Sequence, residues 1–147
     1  MKTHTLTLAE WNSFVTMECS YGELKIEQET FLVNINGGLI VLDKKIEEFF
    51  NKENAKFRYD IGYMFGNCQL VFKDYLEIKI QVSPYIEDQN GKAVWFDTKT
   101  MKYTGIYKGE TNNYGMEGGL NYPSYCPAWI DIECDARCVE LHILDPA

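Results

Sequence analysis

The sequence predicts an α+β fold made mainly of antiparallel strands, a meander closed like a barrel or folded as a sandwich, with two short helices. Three observations carry that expectation. Apolar and polar residues alternate with period two over runs such as "KFRYDIGYMF". Turn dipeptides, Gly37-Gly38, Gly66-Asn67 and Asn90-Gly91, punctuate those runs at hairpin spacing. Helical spacing is confined to two short stretches.

The first stretch follows Thr7, which with Glu10 forms a capping-box pattern. Leu8, Trp11, Phe14 and Val15 then recur at helical intervals, predicting a helix over 8–16. Beyond the turn-like "CSYGE", the segment 23–43 reads as strands broken at Asn36-Gly37-Gly38. Pairing across that turn sets Phe31, Val33 and Ile35 on one face with Ile40 and Leu42. Asp43 is placed to cap "KKIEEFFNK", where Ile46, Phe49 and Phe50 form one stripe of a second helix.

A three-stranded meander follows. Phe57, Tyr59, Ile61, Tyr63 and Phe65 alternate with polar or small residues, and Gly66-Asn67 turns the chain so that Phe65 faces Cys68. A loop at Lys73-Asp74-Tyr75 then pairs Phe72 with Leu76, Leu70 with Ile78 and Cys68 with Ile80, which keeps one face dry. Pro84 ends or edges the sheet because it has no N–H to donate. Asn90-Gly91 joins "PYIEDQ" to "KAVWFD", and "TKTMKYTGIY" supplies another strand. The closing "WIDIECDARCVELHIL" reads as a hairpin with 135–138 in its loop. It pairs Cys134 with Val139 and Ile132 with Leu141 inside, and Asp131 with His142 outside; a helix starting at Asp135 is the competing reading.

A chain of 147 residues with 46% hydrophobic and 14% aromatic content is one ordinary domain, 1–147, able to bury a core without disulfides or metal. No run approaches the ~20 apolar residues of a membrane helix, and the N-terminus lacks a signal-peptide pattern. Five cysteines, an odd number set among apolar neighbours, fit reduced thiols and a cytoplasmic location. The net charge of −8 disfavours nucleic acid and anionic membranes, and favours a protein partner with a basic surface, although solubility alone is a sufficient reason for it.

Four candidate sites arise from residue chemistry. Cys126, Cys134, Cys138 and His142 make up a complete zinc ligand set, but without close C-x2-C pairing and with Cys134 and His142 on opposite strand faces. A cysteine nucleophile with His142 as base and Asp131 as orienter lacks any signature around the nucleophile. Asp131, Glu133 and Asp135 line one strand face without the spacing of a calcium loop. No cofactor motif is present, so none is expected.

The fourth site is the glycine-rich, tyrosine-rich stretch 109–129, which follows neither period and reads as a long loop. Its aromatic content favours ordering, either as a plug for the protein's own core or as a face for a partner. The expectation is a non-enzymatic, acidic protein-binding module of inhibitor or immunity type, engaging its partner through Tyr114, Met116, Tyr122, Tyr125, Trp129, Asp131 and Glu133. A ligand-binding barrel or enzyme with a pocket lined by Tyr59, Tyr63 and Trp95 is one alternative. An assembly subunit that uses exposed strand edges is another.

Overall fold

The computed structural model describes residues 2–42, 55–57, 63–65, 67–122 and 126–143. In chain order its elements are β1 (Lys2–Leu6), α1 (Leu8–Asn12), β2 (Phe14–Val15), β3 (Ser20–Ile26), β4 (Thr30–Gly37), β5 (Leu39–Val41) and β6 (Ala55–Phe57). They continue with β7 (Tyr63–Phe65), β8 (Cys68–Glu87), β9 (Ala93–Trp95), β10 (Lys99–Thr104), β11 (Asn112–Tyr122) and β12 (Cys126–Ile143). Among the described residues the architecture is therefore β-rich with one short helix, and the α+β expectation with two helices reduces to that; the second, over 44–52, falls outside the described residues.

The capping box forms as expected, with Glu10 N–H donating to Thr7 Oγ1 and Thr7 N–H donating to Glu10 Oε1. The helix nevertheless stops at Asn12, because Phe14 and Val15 are taken into β2, which pairs with β5. β-Branched and aromatic residues gain more by pairing there than by extending an isolated helix. His4 is paired in β1 opposite Leu141, and its Nε2 lies 2.9 Å from Glu10, so the N-terminal strand is tied to the helix cap.

Two long strands organise the rest. β8 and β12 run antiparallel along nearly their whole length, from Cys68 opposite Ile143 to Pro84 opposite Ala128. β8 changes partner on its other edge, from β4 over Cys68–Lys73 to β10 over Glu77–Val82. β12 likewise pairs with β1 over 139–143 and with β11 over 126–136. A short parallel contact of Gly119 and Leu120 with Ser20 and Tyr21 joins β11 to β3, and β3 pairs with β4. The circuit β11–β12–β8–β4–β3 is therefore closed by hydrogen-bonded strands, with its apolar face inside.

Four expected hairpins are absent among the described residues, each for an identifiable reason. Around 73–75 β8 does not turn back; it bends through Asp74, at φ 53°, while the β8–β12 register shifts by one residue. The same irregularity carries β12 straight through 135–138, where Arg137 bonds Asp74 at 2.7 Å. On β12 the inward residues change parity, from Ile132 and Cys134 to Val139 and Leu141, as across the expected four-residue loop. On β8 they keep it, from Leu70 and Phe72 to Ile78 and Ile80, as across the expected three-residue loop, so both inward sets were legible while the connections were not. Leu76, expected inside, is exposed.

At Gly38 the chain does not fold back either. Leu39 and Val41 are fully buried, in phase with Phe31, Val33 and Ile35, so the apolar face continues through the glycine into a second sheet, β2–β5–β7–β6. Only glycine fits, because φ is +86° and a Cβ would stand 1.9 Å from the Glu18 carbonyl oxygen. β7 accordingly pairs with β5 and β6, while β8 receives β4 as its neighbour instead of the expected 57–65 strand. The rest of that strand's alternation, and Tyr59 with it, lies outside the described residues.

Within the stretch 109–129, residues 112–122 and 126–129 are also strand. β11 pairs with β12 in unbroken register from Asn112 opposite Ala136 to Tyr122 opposite Cys126. Tyr114 and Met116 point inward, and the ring of Tyr114 packs edge-on against Trp11 at 5.3 Å and tilted against Phe72 at 5.6 Å. Phe31 stacks on Phe72 behind it, filling the interior with aromatic rings.

Candidate functional site

Along β12 the side chains at 128, 130, 132, 134 and 136 are buried, which turns Trp129, Asp131 and Glu133 to the outer face. Their partners on β11 are Gly119, Glu117 and Gly115, and on β8 Ser83, Gln81 and Lys79. Between them lies a groove of about 340 Å³ lined by Thr16, Lys79, Gln81, Glu117, Asp131 and Glu133, with buried Met116 beneath. Gly115 contributes to its depth, since a Cβ there would meet nothing within 4 Å.

The β11 wall is pinned at this end. Thr16 Oγ1 accepts from Glu117 N–H at 3.1 Å, and the Tyr21 hydroxyl donates to the Glu117 carbonyl at 2.8 Å. Burial pushes the Tyr21 phenol well above its ordinary value, with nearby Cys19 adding to the effect, so it remains a donor. The groove thus presents, among the described residues, three carboxylates on β11 and β12 and one ammonium on β8, an arrangement that attracts cationic side chains. No histidine or cysteine is among the described residues that line it.

The sequence-predicted residues separate into groups. Tyr114 and Met116 belong to the core, at 2% and 5% exposure. Trp129 is half-buried on the outer face beside Asp131 and Glu133, forming a row at i, i+2 and i+4. Tyr122 is placed by its backbone in β11, and Tyr125 lies outside the described residues. Trp95, expected in an internal pocket, stands 54% exposed on a hairpin.

Cys134, Cys138 and His142 do not converge on a shared site, and the side chain of Cys126 lies outside the described residues. Cys134 is fully buried on the inner face, and desolvation pushes its thiol up to about 12, which opposes both thiolate nucleophilicity and metal ligation. His142 is on the outer face, with Nε2 3.0 Å from Glu140, which also binds Lys73 at 2.9 Å. Because β12 is continuous, Asp131 pairs with Glu117 and Gln81 and His142 with Thr3 and Gln69, roughly 35 Å of extended strand apart. That separates the expected orienter from the expected base. Among the described residues no group of three or more His, Cys, Asp or Glu is arranged to hold a metal, and no helix is long and apolar enough to cross a membrane.

The hairpin expected at Asn90-Gly91 forms at the end of β8, but sequence reasoning missed that it projects as an exposed arm. β8 and β9 pair Tyr85 with Trp95 and Ile86 with Val94 beyond Pro84, the last β8 residue paired with β12. The turn is closed by Asp88, whose Oδ1 accepts from Asn90 and Lys92 N–H. The signal was there in the apolar residues on both strand faces of "YIE" and "AVWF", a pattern that a core strand and a projecting arm share.

Fold and site together define a class, a β-rich acidic domain with a carboxylate-lined groove on the outside of its closed circuit. Compared with protein-family models, with curated proteins and with solved structures, the chain matches none.

Proposed function

We propose that this chain is a non-enzymatic, acidic protein-binding module of inhibitor or immunity type, which engages a basic partner surface through the outer face of β11 and β12. The observation that carries the reading is the groove in which Glu117, Asp131 and Glu133 converge against the single ammonium of Lys79. An arginine or lysine of the partner enters between the carboxylates, and half-buried Trp129 beside them offers a flat apolar contact. The net charge of −8 supports the same partner class, because it steers cationic surfaces in and repels phosphate backbones. Free thiols at Cys19, Cys68, Cys134 and Cys138 go with a reducing, cytoplasmic setting.

Relative to the sequence expectation, the binding face moves from a loop to a strand pair, and its residues become Glu117, Trp129, Asp131 and Glu133. The test is quantitative capture from the source cell on immobilised protein, wild type beside Asp131→Lys/Glu133→Lys. The reading expects one dominant partner whose recovery falls at least ~10-fold with the variant and whose association rate drops with added salt. Equal recovery by the two proteins, or a partner indifferent to salt, refutes it.

A further inference from the structure

β9 and β10 lie along one edge of β8 and pair with no other strand among the described residues. The two pair with β8 in registers that differ by one residue, which leaves Asp97 as the extra residue of a bulge between them. Exposed apolar side chains gather at the arm end of this edge: Trp95 at 54%, Phe96 at 50%, Ile86 at 46% and Val94 at 44%. They amount to roughly 300–400 Å² of apolar surface, divided between the two faces of the arm, with Ile86, Val94 and Phe96 on one and Trp95 on the other.

Charge is divided along the same edge. The arm end carries Glu87, Asp88 and Asp97 against Lys92, whereas the other end carries Lys99 and Lys102. Lys102 also stands directly opposite Lys79, a like-charge cross-strand pair that a further carboxylate would relieve. An edge acidic at one end and basic at the other is complementary to itself when two copies run antiparallel.

We propose that this β9–β10 edge is a dimerisation surface, on which a second copy of the chain adds antiparallel about a two-fold axis between Thr98 and Lys99, with the ladders running outward from Phe96 and Met101 and residues 97–100 left unpaired around the axis. That register sets Phe96 opposite Met101, Val94 opposite Tyr103 and Trp95 opposite Lys102, and brings Asp97 diagonally beside Lys102 of the other copy. Apolar side chains then meet on the inner face, and the outer face gains a cation–π contact and an ion pair. Slipping by one residue places Phe96 against Lys102, so a single register is selected. The edge lysines and the bulge turn away apolar or basic strands while admitting this one. The patch is well short of the ~800 Å² per partner of a standard interface, which sets the expected dissociation constant in the tens of micromolar.

Sedimentation velocity of the full chain from ~1 to ~200 µM tests the proposal. The expected result is a reversible monomer–dimer equilibrium for the wild type, with Lys102→Glu and Asp97→Lys each weakening it at least ~10-fold. Both substitutions are on exposed residues, and circular dichroism verifies that each variant is folded. An equimolar mixture of the two restores dimer, because the carboxylate introduced in one variant meets the ammonium introduced in the other, while the Asp97 and Lys102 that each variant retains still pair. A wild type that stays monomeric at the highest concentration overturns the proposal. So does a dimer indifferent to both substitutions, or a mixture that fails to associate.

Discussion

Tyr114 was a partner-binding candidate by composition and is a core residue by position, and truncating it separates the two roles. Replacing it with alanine removes a ring that is 2% exposed and in contact with Trp11 and Phe72. About 120 Å² of lost apolar burial at 25 cal/mol per Å² is about 3 kcal/mol. Two aromatic contacts at about 0.5 kcal/mol or more each bring the loss to about 4 kcal/mol, within the range for emptying an aromatic core site. For 147 residues the unfolding entropy near the midpoint is about 0.3 kcal/mol/K, so Tm falls by about 13 °C. Tyr114→Phe keeps the ring and loses only a contact with Asn112 Nδ2 that is long at 3.5 Å, which limits its shift to about 3 °C. Thermal melts followed by far-ultraviolet circular dichroism read both variants. A Tyr114→Ala midpoint within about 3 °C of wild type would refute the placement of the ring in the core.

Other consequences are equally direct. Gly38→Ala meets the Glu18 carbonyl at a left-handed φ and should destabilise the fold by about 2–4 kcal/mol, read as a lower urea midpoint. Desolvation raises the thiols of Cys19 and Cys134 to about 12 and pushes Cys68 higher still, so in native protein at pH ~8 iodoacetamide should label half-buried Cys138 before those three, as mapped by mass spectrometry. At Glu10 and Glu140 burial favours the protonated form but is outweighed, by Thr7 and His4 in one case and by His142 and Lys73 in the other, so both carboxyls lie below 4.5. Their stabilisation is complete above that unfolded value and is lost as pH falls through the lower folded values. The urea midpoint should therefore decline below pH 4.5, and Glu10→Gln/Glu140→Gln should flatten that limb.

The candidate site was half legible. Asp131 and Glu133 were visible because a strand's period of two announces which residues share a face, and β12 keeps that period. Glu117 was hidden in a stretch whose alternation, Tyr114, Met116 and Leu120, is interrupted by Gly115, Gly118 and Gly119. Glycine has no side chain to report a face and disfavours strands locally, so the segment read as loop until β12 supplied a ladder for it. The arm at Trp95 was misassigned for the opposite reason, since its apolar residues read as core and only the end of the β12 ladder at Pro84 leaves them outside.

What the sequence determined by itself is the local physics: the capping box at Thr7, the β-rich class, the Asn90-Gly91 turn, the inward sets on β8 and β12, and an acidic surface. These follow from propensity, period and charge, which depend on residues near one another in the chain. Tertiary structure alone decided which strand lies beside which. A bulge at Asp74 and a corner at Gly38 leave the same alternation in the sequence as a hairpin, and the choice between bending onward and turning back is made by distant partners. β12 lies alongside β8 and β5 alongside β7, pairings between residues distant in the chain, and the acidic groove exists only because of that choice.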